Sequence, residues 1–309
     1  METLDYWKSE FGDTYTRLKQ YAKFWCYTDP IDIIKGYKRV VSLGSWCHLK
    51  AAYCKKHHLY AVHRRGHKRL IPTDTVLIHE MNKPITKGLA LQYRDKYGAE
   101  LVGFEHGHLW GRYVDHLNGK NYSYVDKFVV EEIGKDWWKH TIKIPIESIK
   151  TNYYSKLKSR PGNKVFLMGF PFPKDDVNFY ANFLPDFDPV EQRKVHQAII
   201  AWLIYNDIPW VYKAHPLRVE NTKKHLNIPD KNFETRLFDK VHHQASMFIH
   251  TTSDSTTFGP SLYMGKPVIL IDWPGHPWVP EALEWTKKRC LVIPKDMISW
   301  HPTCEVEGE

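Results

Sequence analysis

Between residues 213 and 272 the chain sets out, one group after another, the residue types that bind and neutralise phosphate. Lys213-Ala-His215-Pro216 follows the apolar run beginning at Trp210, Ser253-Asp-Ser255-Thr256-Thr257 follows Met247-Phe-Ile-His250, and Gly265-Lys-Pro267 leads into Val268-Ile-Leu-Ile-Asp272. Each polar group borders a short run with the composition of a buried strand. Those after Trp210 and Met247 stand where an open parallel sheet binds ligands, outside the carboxyl ends of its strands. The His215 imidazole can give a phosphate a charge-assisted hydrogen bond and, as a cation, would neutralise a leaving group. Lys213 lies two residues back, on the same side of the strand, and is the second candidate. The hydroxyls of Ser253, Ser255, Thr256 and Thr257, with the N–H groups of a following helix, suit a phosphate cradle. Plain helix capping by Asp254 or Ser255 is the alternative, and the two are compatible. Gly259 and Gly265 are expected to allow close helix packing and a tight turn into the last of these strands.

A second group carries acid–base chemistry. Glu105 ends the apolar run Leu101-Val-Gly-Phe and is followed by His106, His108 and Asp115. A transfer to a hydroxyl needs a base that removes its proton, and Glu105 is the first candidate, with the two histidines next. The alternative is a polar loop. Glu-His-Gly-His lacks the i, i+4 spacing of a helical zinc site, and no Asp-x-Asp pair follows an early strand. The expectation is metal-independent chemistry, with Lys213, His215 and helix dipoles stabilising the leaving phosphate.

These groups need elements to hold them, and the chain alternates strand and helix from Arg39 onward. Strands are expected at Val40–Leu43, Asp74–Ile78, Glu100–Phe104 and Lys127–Val130, with helices from Ser45 to about Lys56 and from about Thr86 to Tyr97. A second alternation has strands at Lys164–Gly169, Trp210–Lys213, Met247–His250 and Val268–Ile271, and a helix opened by Asp188-Pro189 and running through Tyr205. A βαβ rhythm of this kind predicts parallel sheets with helices on both faces. The segment from Tyr153 to Asn163, rich in Lys, Ser, Pro and Gly, reads as the boundary. The expected organisation is a helical arm (1–37), an acceptor-side α/β domain (38–155) and a donor-side α/β domain (156–309). Two doubly wound, Rossmann-like domains facing a cleft form the arrangement called GT-B. In the arm, Tyr6, Trp7, Phe11, Tyr15, Leu18, Tyr21 and Trp25 recur at helical spacing, a stripe that packs on its own domain or, alternatively, lies on a membrane surface.

Composition narrows the partners. With 309 residues, 42% of them hydrophobic, the chain can bury two cores of ordinary size. No apolar run reaches the length of a membrane span and the N-terminus lacks a signal-peptide profile, so the expected location is cytoplasmic. Five cysteines without paired spacing indicate reduced thiols rather than a disulfide framework. The net charge of +9 is concentrated between Lys55 and Arg69, where Arg64, Arg65, Lys68 and Arg69 stand among histidines and other lysines. Such a patch suits an anionic partner, a glycan or nucleic acid, and is otherwise a solvated basic face.

His215-Pro216, the Ser253-to-Thr257 cluster and Gly265-Lys-Pro-Val-Ile resemble the nucleotide-binding half of GT-B glycosyltransferases of bacterial surface polysaccharides. The similarity is strongest to capsule-type enzymes that use CMP-linked 3-deoxy-manno-octulosonic acid or sialic acid, in which a His-Pro motif and a serine/threonine motif hold the donor phosphate. Gly103-Phe-Glu105-His-Gly107 is similar, more faintly, to the E-x-G loop of the same group. Two departures are a short N-terminal domain and the extra histidines around Glu105. The resemblance implies an inverting glycosyltransferase of polysaccharide biosynthesis that takes a CMP-, UDP- or GDP-linked sugar as co-substrate and no other cofactor. Three alternatives stand beside it. The basic patch would suit DNA carrying hydroxymethylated bases as acceptor, a DNA-modification activity. Ser42-Leu-Gly-Ser-Trp-Cys47 is similar to the opening motif of a papain-like cysteine peptidase family, with Cys47 as nucleophile. The third is a nucleotide-binding module without catalysis.

Overall fold

The computed structural model describes residues 40–43, 53, 61–63, 70, 73–78, 84–104, 122–139, 142–150, 159–169, 188–215 and 219–298. The N-terminal arm (1–37) lies outside the described residues. The chain divides into two compact units, Met1–Tyr153 and Tyr154–Glu309.

In the first unit, strands β1 (Val40–Leu43), β2 (Ala61–His63), β3 (Thr75–Ile78), β4 (Glu100–Phe104), β5 (Lys127–Glu131) and β6 (Ile146–Ile149) form one sheet in the order β2-β1-β3-β4-β5-β6. Every pairing is parallel. The runs Val-Val-Ser-Leu and Thr-Val-Leu-Ile are buried at all four positions, as strands covered on both faces must be. Helix α1 (Pro84–Tyr97) returns the chain from β3 to β4, and the preset φ of Pro84 starts it two residues before the expected Thr86. Its buried face puts Ala90 and Tyr93 into a core with Val76, Leu101, Phe104 and Phe128. Lys127 ties three strands together, with Nζ 3.0 Å from a Glu100 carboxylate oxygen and 3.6 Å from one of Glu147. The strand order reverses between β1 and β3, so the carboxyl end of β1 stands at the switch point of this sheet.

The second unit contains β7 (Lys164–Met168), α3 (Pro189–Tyr205), β8 (Trp210–Lys213), α4 (Val219–Leu226), β9 (Phe233–Glu234), α5 (Phe238–Val241), β10 (Ala245–His250), α6 (Phe258–Tyr263), β11 (Val268–Asp272), α7 (Pro280–Lys287) and β12 (Leu291–Pro294); the short helix α2 (Lys135–Trp138) belongs to the first unit. The sheet runs β12-β11-β10-β7-β8-β9, all parallel, which numbers as 3-2-1-4-5-6 when counted from β7. That is the Rossmann order, with its switch point between β7 and β10. Helix α3 begins as its sequence demands: the Asp188 carboxylate accepts the Val190 N–H at 2.9 Å, and Pro189 occupies the first turn. Its Val195, Ile199 and Leu203 pack on Val165, Leu167 and Tyr212.

Strands β2, β6, β9 and β12 are not among those expected from sequence. All four are edge strands; β2 and β9 are only three and two residues long, and β6 and β12 are half-buried or exposed, so they are not covered on both faces as the central strands are.

Candidate functional site

The carboxyl edge of the second sheet is built around Gly169, which directly follows β7 and sits between the ends of β8 and β10. Its N–H donates to the Lys213 carbonyl at 2.9 Å. A Cβ at this position would stand 2.5 Å from the Tyr212 ring, so the close approach of β7 to β8 requires glycine. With no side chain on Gly169, the gap between the side chains that close β8 and β10 spans two strand spacings, roughly 10 Å.

On one side of that gap lie Lys213 and His215. Lys213 closes β8 and is 5% exposed, its Nζ donating to the Ala214 carbonyl at 2.6 Å. Burial lowers its pKa and Glu234 opposes the shift. His215, half-buried, is held below the ordinary imidazole value by burial and by Lys213. With a lysine beside it and the ring half-buried, the protonated form of His215 is disfavoured in the absence of an anion.

On the other side the chain leaves β10 through Thr251 to Thr257. Ser253 is fully buried, Ser255 is buried, Thr257 is partly so and Thr256 is exposed. The segment is organised by its own hydroxyls. Thr252 Oγ1 accepts the Asp254 N–H at 3.1 Å, Ser255 Oγ accepts the Thr257 N–H at 3.3 Å and lies 2.7 Å from Thr257 Oγ1, and the Ser255 carbonyl accepts from Phe258. Helix α6 is six residues long, with Thr257 as its N-cap and no side-chain cap bond, so neither Asp254 nor Ser255 caps it. The hydroxyls stabilise two consecutive tight turns instead. Gly265, at φ 70°, provides the left-handed turn into β11.

A buried network behind this edge was not visible in the motifs. His196 on α3 is fully buried, its Nδ1 3.1 Å from the Tyr212 hydroxyl and its Nε2 2.8 Å from Thr251 Oγ1. Thr251 Oγ1 in turn donates to the Met168 carbonyl at 3.5 Å, and Trp273 Nε1 donates to the Thr251 carbonyl at 2.7 Å. One proton arrangement satisfies the chain: Tyr212 donates to Nδ1, Nε2–H donates to Thr251, and Thr251 donates to Met168. Burial drives the His196 pKa down to about 3, which keeps the ring neutral and preserves this arrangement. The network fastens the ends of β7, β8 and β10 and the residue after β11 to one helix. The one available signal was His196 itself, a polar residue on the apolar stripe of α3 between Val195 and Ile199.

At the end of β11, Asp272 accepts His276 Nδ1 at 2.9 Å and Trp278 Nε1 at 3.1 Å, closing the following loop over the strand end. Burial and Asp272 push the thiol of nearby Cys290 up to about 12, so it is no nucleophile at neutral pH. Glu105, His106, His108, Asp115, Arg64, Arg65, Lys68, Arg69, Cys47 and Pro216 lie outside the described residues. Among the described residues no group of three acidic, histidine or cysteine side chains could hold a metal ion, and no helix is long and apolar enough to cross a membrane.

Two parallel-sheet, Rossmann-like α/β units in succession fit the two-domain GT-B fold. No protein-family model and no curated protein matches the chain. Among solved structures it is similar to the UDP-GlcNAc 2-epimerase of Methanocaldococcus jannaschii in complex with UDP-GlcNAc and UDP, at 9% identity and a TM-score of 0.44, over 72% of this chain and 66% of that one. It is also similar to the glycotransferase of kitacinnamycin, at 11% identity and a TM-score of 0.42, over 76% of this chain and 66% of that one. The chain thus spans just under two thirds of either structure.

Proposed function

We propose that the protein is a nucleotide-sugar-dependent glycosyltransferase that binds the donor phosphate at the carboxyl edge of the second sheet. The observation that carries this reading is the placement of Lys213, His215 and the 253–257 hydroxyls on either side of Gly169 at the switch point of a 3-2-1-4-5-6 sheet. Open α/β sheets bind nucleotides at such a point. In this reading Lys213 and the His215 ring donate to the phosphate, and Ser255, Thr256 and Thr257 supply hydroxyls. An acceptor hydroxyl oxygen attacks the anomeric carbon, the bond from that carbon to the phosphate oxygen breaks, and the nucleotide leaves with the electron pair. Glu105, with His106, His108 and Asp115 as further candidates, takes the acceptor's proton. The transfer is inverting and needs no metal, since the leaving phosphate meets fixed donors. The acceptor is an anionic surface glycan met by Arg64, Arg65, Lys68 and Arg69.

A thermal-shift series with CMP, CDP, UDP, GDP and their sugar conjugates tests the donor site, because a ligand that binds only the folded chain raises the midpoint. One nucleotide class should stabilise the wild-type protein and lose most of its effect in Lys213→Met and His215→Ala. Equal stabilisation of both variants would remove the donor assignment, and no response to any nucleotide would remove the transferase reading.

A further inference from the structure

The motif Gly265-Lys266-Pro267 does not contribute to the carboxyl edge. Gly265 turns the chain so that Lys266 enters β11 from its amino end, beside the single 3-10 turn His242–Gln244 that leads into β10. These two strands pair in parallel, with Phe248 opposite Val268. Lys266 is 5% exposed and His242 8% exposed. The Lys266 ammonium donates to the His242 carbonyl at 2.7 Å and lies 5.8 Å from the centre of the Phe248 ring. An ammonium has three donors, and this one has no carboxylate partner among the described residues.

The imidazole of His242 is more unusual. Both its nitrogens are closed to solvent, and neither has a hydrogen-bond partner. Its ring neighbours are Phe238 at 5.9 Å and His243 at 6.1 Å. Leaving a buried polar group unsatisfied costs about 1–3 kcal/mol, and a buried cation without a counter-charge costs more. A bound water or ion is one way folded proteins satisfy such groups. The charged groups felt by His242 are Lys266 and His243, both unfavourable to its protonation, and Asp239, which favours it. Burial also lowers the pKa of Lys266. The local field is therefore short of negative charge.

We propose that His242 and Lys266 form a binding site for a small inorganic anion, phosphate or chloride, at the amino end of the second sheet. The anion accepts from the spare Lys266 donors and from the protonated His242 ring, so binding takes up a proton and strengthens as pH falls. The site stands apart from the proposed donor edge: the six residues of β10 place its two ends roughly 16 Å from each other. Its existence does not depend on the transferase reading.

The test titrates phosphate and, separately, chloride into the full chain in a gluconate buffer of constant ionic strength, read by midpoint shift and by calorimetry. At least one anion should bind saturably, with a heat that varies with buffer ionisation enthalpy as proton uptake requires. Lys266→Met should weaken binding on the order of tenfold or more, the effect of losing a hydrogen bond to a charged group. His242→Phe, which removes an unpartnered ring and keeps the ammonium, should fold normally, weaken the same anion and abolish the proton uptake. Lys213→Met should leave intact the proton-linked part of the response that Lys266→Met weakens. Absence of a saturable response to either anion, an unchanged response in His242→Phe, or loss of that proton-linked part in Lys213→Met instead would overturn the site.

Discussion

Gly169 and Lys213 show how single residues set the candidate donor site. The glycine keeps the centre of the carboxyl edge open and lets β7 approach the Tyr212 ring, while the lysine is held buried next to His215. Gly169→Ala forces a Cβ to within 2.5 Å of that ring, in a place where Tyr212 is locked by His196. The substitution should destabilise the protein by about 1–3 kcal/mol, as overpacking does, measurable by urea unfolding. It should also weaken nucleotide binding, because the displaced Tyr212 pulls on the Thr251 turn through His196. Unchanged stability in Gly169→Ala would mean that β7 and β8 can separate freely at this point.

Helix α3 connects that residue chemistry to the sheet. Its N-terminus is set locally, by Asp188 and Pro189, and Asp188→Ala should cost about 1 kcal/mol of stability in chemical denaturation. Its interior carries His196, whose folded pKa of about 3 lies below the ordinary value of 6.5. The unfolded chain binds the proton first, so the stability contributed by the neutral ring is complete above pH 6.5 and is lost as pH falls from there toward 3. The slope from this one group reaches about 1.4 kcal/mol per pH unit. Urea unfolding at pH 7.5, 6 and 5 should show that decline, and His196→Gln should flatten it. A wild-type stability independent of pH over this range would show that His196 charges without breaking its two contacts.

For the molecule as a whole, each unit has its own parallel sheet and its own core, centred on Phe104 and Phe128 in one and on Leu167 and Tyr212 in the other. Units with their own core can in principle fold alone. The segment from Tyr154 to Glu309, expressed alone, should give a cooperative unfolding transition and retain nucleotide binding while losing transfer. Failure of this segment to fold would place essential packing in the first unit.

The central strands and α3 were legible because a strand buried on both faces must be a continuous apolar run and a helix start must satisfy its free N–H groups. Glu100–Phe104, Trp210–Lys213 and Pro189–Tyr205 follow from those local demands alone. So did the position of Lys213, His215 and the 253–257 hydroxyls directly after their strands. Strand order could not be read, since it depends on which apolar edges meet; only the folded sheet shows that β7 lies between β8 and β10 and brings the two motifs to one switch point. The His196 network and the Lys266–His242 pair were invisible for the same reason. Sequence determined the elements and the chemical groups at their ends, through short-range constraints of burial and capping. Tertiary structure alone decided which groups share a dry environment, and with it the neutral His196 ring, because desolvation arises from residues distant in the chain.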